Sequence, residues 1–400
     1  MLAAALAGYL GAASASDNSW GVRAAGSYNA PNPDGLFYLE SSRRYGLQET
    51  FVTYRHDGVF MHATAYQQTQ EGTESLHKGV LNELYLDTDV GSWDLTFGKK
   101  RMEWGVGFGF RPLDVIKPLA RRELIALTPE GLPLVALERY SETSALTVLI
   151  GNDLHHNDEG WREADTEYAA RYYTLVGGVD TQAVLHRRPD VDTEGGVALS
   201  WVPSDELELH ASALYQRQYH KPINTLTESG MLLASGDPMV AREFEHGIKA
   251  LFGATYTWRS GQALLLEYWH DDAGYTRAEW ERLRELTKSQ RALLGLGLDT
   301  AVNGNVLASS RYLTQPNVMQ QNWLARWSYD NGERWVTALD LLYTPQDRGR
   351  VLTLSSTHDI GTAYNLTYGV RNYGGDADSV YRALPYRYIV YASLKATLNW

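Results

Sequence analysis

The C-terminal stretch Tyr386–Trp400, YRYIVYASLKATLNW, decides how the rest of the chain is read. Its side chains alternate. Tyr386, Tyr388, Val390, Ala392, Leu394, Ala396, Leu398 and Trp400 fall on one face, and Arg387, Ile389, Tyr391, Ser393, Lys395, Thr397 and Asn399 on the other. Successive residues of a strand point to opposite sides, so the segment is apolar on one side and largely polar on the other. It is long for an edge strand of a soluble sheet. It suits a strand with lipid outside and water inside.

The same parity recurs upstream. Trp93, Leu95 and Phe97 oppose Asp94, Thr96 and Gly98. Leu207, Leu209, Ala211, Ala213 and Tyr215 oppose Glu208, His210, Ser212 and Gln216. Trp335, Thr337, Leu339, Leu341 and Tyr343 oppose Val336, Ala338 and Asp340. A slip of one residue would turn the charges into lipid, so register is well specified. Tight-turn signals fall at 57–58, 91–92, 141–142, 177–178, 204–205, 260–261, 331–332 and 361–362. Between them lie longer connections at 29–46, 69–77, 104–130, 152–165, 188–193, 217–241, 272–317, 344–349 and 374–385. Short turns alternating with long loops predict an all-β fold: a transmembrane antiparallel up-and-down barrel of about eighteen strands, both termini on the short-turn, periplasmic side.

Composition agrees. The chain of 400 residues has 26 Tyr and 12 Trp but only 8 Phe, a bias toward rings that suit a membrane–water boundary. Trp20, Trp93, Trp201, Trp258, Trp335 and Trp400 fall at the turn ends of the expected strands. Tyr28, Tyr66, Tyr215, Tyr268, Tyr343, Tyr373, Tyr386 and Tyr388 fall at the loop ends, while Trp104, Trp269 and Trp323 break the pattern. Mean hydropathy is −0.35 and no run past the N-terminus is long and apolar enough for a transmembrane helix. With no cysteine there is no disulfide and no thiolate chemistry. A formal charge of −12 argues against a nucleic-acid partner. Residues 1–16, apolar and small up to Ala13-Ser14-Ala15, read as a signal peptide although no Lys or Arg precedes the apolar run. The barrel is then 17–400.

One loop carries helix signals. Thr276 and Glu279 have capping-box spacing, and helix formers continue to Gly297, so a helix is expected over 276–297 as a roof or a lid.

The chemistry concentrates in 99–130, KKRMEWGVGFGFRPLDVIKPLARRELIALTPE. This segment is too apolar to float in solvent, so it is expected to fold into the lumen as a constriction. Lys99, Lys100, Arg101, Arg111, Lys117, Arg121 and Arg122, together with Asp114 and the inward-facing Arg371, Arg387 and Lys395, would line it. Two readings of these cations stand side by side. They attract an anionic solute, or they pair with Asp87, Asp94, Glu83, Asp340 and Glu267 and stiffen the wall. The Gly105, Gly107, Gly109 spacing has no βαβ context, so it is not a nucleotide fingerprint. His/Asp clusters at Asn152–Asp158 and His270–Asp272 lack a metal-site spacing. His210 and Ser212 share an inward face without a fixed nucleophile–base pair. No enzyme, cofactor or metal site is expected.

The stretch 98–148 also resembles alginate-export-type and related porin-like outer-membrane barrels. The likeness is carried by Gly98, Lys99, Trp104, Gly105, Pro112, Leu113, Asp114 and Pro118. It implies an eighteen-stranded barrel with a positively charged lumen that passes an anionic polymer or a hydrophobic acid. Lys100 and Arg111 depart from the pattern, standing where Gln and Asn are usual, so the substrate does not carry over. The expectation is an outer-membrane channel for a small or polymeric hydrophilic, anionic solute, embedded in the lipid bilayer. The strand ending at Trp400 would be recognised by the barrel-insertion machinery. The alternatives are a structural barrel acting as a sleeve for partner proteins, or an outer-membrane hydrolase.

Overall fold

The computed structural model describes residues 18–39, 43–119, 121–152, 166–332 and 334–400. The expected signal segment and most of the Asn152–Asp158 cluster lie outside the described residues. Eighteen antiparallel strands follow one another round a single sheet. They are β1 (Ser19–Pro31), β2 (Arg44–His56), β3 (Val59–Gln70), β4 (Leu76–Val90), β5 (Trp93–Lys100), β6 (Leu132–Tyr140), β7 (Ser144–Asn152), β8 (Thr166–Val176) and β9 (Val179–Arg188). The second half holds β10 (Asp192–Trp201), β11 (Leu207–Asn224), β12 (Met239–Thr257), β13 (Gln262–Asp271), β14 (Gln321–Asp330), β15 (Trp335–Thr344), β16 (Gly349–Ile360), β17 (Tyr364–Gly374) and β18 (Tyr386–Asn399). β18 returns to pair with β1, Ser19 opposite Asn399 and Tyr28 opposite Val390, so the sheet closes and has no edge.

All eight expected turns and all nine long connections fall between strands. At Asp57-Gly58 both residues have positive φ, 46° and 79°, the hand that matches the twist of a two-residue hairpin. Several connections are shorter than expected, including 29–46, 69–77 and 188–193, and the largest overlap with strands is at 217–241. β11 and β12 stay paired as far as Asn224 opposite Met239, and this extension is polar on both sides, with Gln218, His220, Lys221, Glu243 and Glu245. The lipid-type alternation stops where the hairpin rises past the apolar band, so the sequence there looks like a loop.

The outer wall is apolar around most of its circumference. Phe97 and Phe252 are 63% and 62% exposed, and Leu185, Val197, Trp323 and Leu354 are also exposed. A soluble protein does not carry such a surface, whereas a lipid-facing barrel does. Trp104 and Trp269 depart from the girdles because both are buried inside the barrel. Tyr66 and Tyr373 share the inward rows of Glu49 and Val351, so they do not belong to the outer girdle.

Among the described residues four α-helices sit in the long connections: α1 (Leu226–Ser229), α2 (Arg277–Arg291), α3 (Asp299–Ser310) and α4 (Val380–Ala383). α2 has the expected capping box, with the Glu279 N–H donating to Thr276 and the Thr276 N–H donating back to Glu279 at 2.8 Å. It ends at Arg291 rather than 297, where Gly295 and Gly297 turn the chain with positive φ. α3 is a second helix that the sequence did not announce. Its residues DTAVNGNVLASS are poor helix formers, and it is held by burying Val302 and Val306. Phe37, Trp280, Leu283, Val302, Tyr312 and Tyr381 form one packed core over the barrel mouth. Tyr275 and Tyr312 stack with ring centroids 3.5 Å apart.

Candidate functional site

Residues 101–131 leave β5 and fold into the barrel. The first part is driven there by burial. Trp104, Leu113, Val115 and Ile116 pack on an apolar inward row made by Leu132 and Leu134 of β6, Leu149 of β7, Val184 of β9 and Leu214 of β11. Each such side chain is worth about 1.5–3 kcal/mol when fully buried. Asp114 fixes the local path. Its carboxylate accepts the backbone N–H of Trp104 at 2.9 Å and of Gly105 at 2.6 Å.

The turn at Gly107–Gly109 reaches the opposite wall. Gly107 has φ 103°, and a Cβ there would lie 2.3 Å from Leu251, so no other residue fits without displacement. Phe110 packs against Leu251, Leu265, Trp269 and Leu324. Glu267 of β13 accepts the N–H groups of Phe108 and of Gly109, the latter at 2.8 Å. His210 supports Glu267 from behind at 3.0 Å and meets Glu208 at 3.3 Å with its other ring nitrogen.

The second part runs across the lumen. The Arg122 guanidinium donates to Asn317 at 2.9 Å and lies over the Trp269 ring, while Arg371 of β17 donates to the Arg122 carbonyl at 2.8 Å. Arg23 of β1 donates to the Ala126 carbonyl at 2.7 Å. Thr128 donates to Glu49 of β2 at 2.8 Å, and Asn82 of β4 donates to the Thr128 carbonyl at 2.9 Å. The segment is therefore anchored to inward faces around the ring before it rejoins β6.

The expected site residues divide. Lys100 pairs with Asp87 at 3.0 Å, and Arg101 pairs with Glu103 at 3.0 Å. Arg111 and Arg121 share Glu103, at 3.1 and 2.8 Å, and both approach Asp114. Of these four cations only Lys100 meets one of the expected wall carboxylates; Arg101, Arg111 and Arg121 are paired within the loop itself, to Glu103 and Asp114. Asp114 is buried and committed to the loop backbone, so it does not line the passage. Arg387 stands at the loop rim, half-exposed and paired with Asp34 at 2.8 Å, away from the constriction. Glu83 and Glu267 accept backbone N–H groups of the inserted loop.

Arg122, Arg371, Lys395 and Lys117 behave differently. Among the described residues none of them has a carboxylate within 4.0 Å. Lys395 lies over the Phe51 ring, and Arg23 beside it reaches Glu49 only at 3.7 Å. Tyr381 of α4 is close to Arg122, but burial pushes its phenol up to about 12, so no phenolate balances the guanidinium near neutrality. The site missed in sequence includes Arg23 and Arg326. Arg23 stands between outward Val22 and Ala24, a signal the alternation contains; Arg326 pairs with Asp340 at 2.7 Å.

The remaining candidates gain no chemistry. His270 meets Asp272 at 2.9 Å, and no metal-holding group of three is present among the described residues. His210 commits both ring nitrogens to carboxylates.

No family model matches the chain, and no curated protein sequence matches it. Solved structures do match over nearly the whole length. OccK5 (OpdH) of Pseudomonas aeruginosa is 12% identical with a TM-score of 0.53, covering 96% of this chain and 97% of that one. The outer membrane protein OprD of the same organism is 10% identical with a TM-score of 0.54, covering 96% and 94%. OccAB3 of Acinetobacter baumannii is 10% identical with a TM-score of 0.51, covering 95% and 98%. At these identities the likeness is one of fold: the chain has the porin-like barrel architecture. It does not extend to the alginate-export subtype.

Proposed function

We propose that the chain is an outer-membrane channel for a small hydrophilic anion, with residues 101–131 as its constriction. The observation that carries the reading is the set of lumen cations without matched carboxylates, Arg122, Arg371 and Lys395, with Arg23 only loosely paired. A low-dielectric channel wall focuses such uncompensated charge onto the passing solute. The paired set, Lys100, Arg101, Arg111 and Arg121, holds the loop in place and contributes little selectivity.

The apolar wall supports a place in a lipid bilayer, and OprD is named as an outer membrane protein. We place both termini on the periplasmic side, because short turns gather there in barrels of this kind. The outward row of β18 and Trp400 offer an aromatic end for the insertion machinery. A small acid fits better than a polymer, because the inserted loop bridges the lumen and the helical roof covers part of the mouth.

The test is single-channel recording of refolded protein in a planar bilayer, with the reversal potential read in a salt gradient. The expected result is a steady anion-selective current that loses selectivity in Arg371→Gln. A folded, heat-modifiable barrel without current would overturn the channel reading in favour of a sleeve.

A further inference from the structure

We propose that the outer wall over β1–β4 carries a built site for one phosphorylated, acylated glycolipid of the lipid A type. The wall here is concave. A groove of about 650 Å³ crosses β18, β1, β2, β3 and β4, floored by Ala24, Ala65, Gly79, Leu394 and Ala396. A Cβ built on Gly79 would touch nothing within 4 Å. Elsewhere the outer wall carries large side chains such as Phe97, Phe252, Trp323 and Leu354.

The groove is also polar where lipid tails offer no partner. Gln48, Thr50, Gln67 and His77 all lie on the outward rows, as their pairing with Ala24, Val22, Gln48 and Gln67 shows. None of the four side chains has a hydrogen-bond partner among the described residues. An unsatisfied polar group facing hydrocarbon is costly. Above them on the same outward side stands Arg44, opposite Tyr28, exposed and without an ion pair among the described residues.

The order of these groups along the strands selects the occupant. Two outward rows cross the groove: Ala396, Val22, Thr50, Ala65 and Gly79 nearer the turn end, then Leu394, Ala24, Gln48, Gln67 and His77, with the Arg44 guanidinium four residues beyond Gln48 along β2 toward the loop end. That sequence matches one lipid lying along the membrane normal: acyl chain, linkage, phosphate. A second copy of the barrel would not need polarity graded with depth. Gln, Thr and His both donate and accept. The amide links and hydroxylated chains of lipid A can meet both roles, whereas glycerol esters only accept. The long loops, placed outside above, put the groove's polar end in the leaflet where such a lipid resides.

The probe is diphosphoryl lipid A added to refolded full-length protein in detergent and read by native mass spectrometry, beside phosphatidylglycerol and dephosphorylated lipid A. The expected result is one lipid A per barrel, with phosphatidylglycerol retained far less. Ala65→Trp with Gly79→Leu should fill the groove and abolish retention. Arg44→Gln should lower occupancy roughly tenfold, to the level of the dephosphorylated lipid, as loss of one charge-assisted contact predicts. Heat-modifiable mobility shows that each variant is folded, and if the double variant fails that check, Arg44→Gln and His77→Ala decide. Equal retention by wild type and variants overturns the proposal, as does equal retention of phosphatidylglycerol. So does a dimer mass that vanishes when the groove is filled, which would assign the face to a second copy. Unchanged conductance in Arg44→Gln separates this result from the fate of the channel reading.

Discussion

The inner wall has two unlike sides. From β6 to β11 it presents Leu132, Leu134, Ala136, Leu149, Val184 and Leu214, buried beneath the inserted loop, beside a buried polar cluster of Glu167, His186, Glu194 and Gln216. From β14 round through β18 to β1 it presents Arg326, Asp340, Thr353, Arg371, Lys395 and Arg23. One chain thus builds half of its lumen as a protein core and half as a water-facing surface. The loop divides in the same way. Its first part is held by apolar burial, and its second part by hydrogen bonds from the charged side. On the proposed channel reading the first side supplies stability and the second selectivity, so the two can be separated by mutation.

The largest effect should come from removing the loop. Replacing 103–126 by a short Gly-Ser linker should raise single-channel conductance several-fold and erase ion selectivity. It should also leave the apolar side of the lumen wetted, seen as a lower temperature for loss of heat-modifiable mobility. If conductance is unchanged, the loop is not the constriction.

A smaller but still severe effect is expected at the apolar anchor. Leu113 is fully buried, and Leu113→Ala should cost roughly 2–5 kcal/mol of barrel stability through lost burial and a cavity. On the other side Thr353→Ala removes one hydrogen bond to Arg371 and should cost only about 1 kcal/mol, measured by denaturant unfolding in the same detergent. Equal costs would erase the distinction between the two sides.

How far each side was legible follows from the same contrast. Where the interior is wet, strands alternate fully, and Trp335–Tyr343 or Tyr386–Trp400 gave strand, register and facing together. Where the interior is a core, the strand is apolar on both faces. Leu132–Tyr140 and Ser144–Asn152 show near-continuous apolar runs, and no parity argument says which leucines point inward. The loop's insertion was legible because Leu113, Val115 and Ile116 have nowhere else to hide. Which cations remain unmatched was not legible, because Arg111, Arg121 and Arg122 look alike in sequence. Only the fold brings Glu103 to the first two and Asn317 to the third. The helix α3 was hidden for another reason: its stability lies in tertiary packing rather than in its residues.

Charge substitutions sharpen the comparison within the lumen. Arg371→Gln removes an unmatched cation and its hold on the Arg122 carbonyl, so the reversal potential should shift clearly toward zero selectivity. Arg111→Gln should shift it less while loosening the loop, because Glu103 keeps Arg121 and Arg101 as partners. A larger shift from Arg111→Gln than from Arg371→Gln would mean that paired cations set selectivity.

The smallest change is expected at the rim. Arg387 was placed in the constriction by parity alone, since it shares an inward row with Lys395. Parity fixes the side of a strand and says nothing of height, and eight residues along β18 separate a lumen cation from one at the mouth. Arg387 is about half-exposed and paired with Asp34, itself largely exposed, and exposed pairs are worth only about 0–1 kcal/mol. Arg387→Gln should therefore leave stability and reversal potential near wild type, while the rate of anion capture at low ionic strength falls slightly and recovers in high salt. A full loss of selectivity in this variant would move the selective barrier from the inserted loop to the mouth beneath the helical roof.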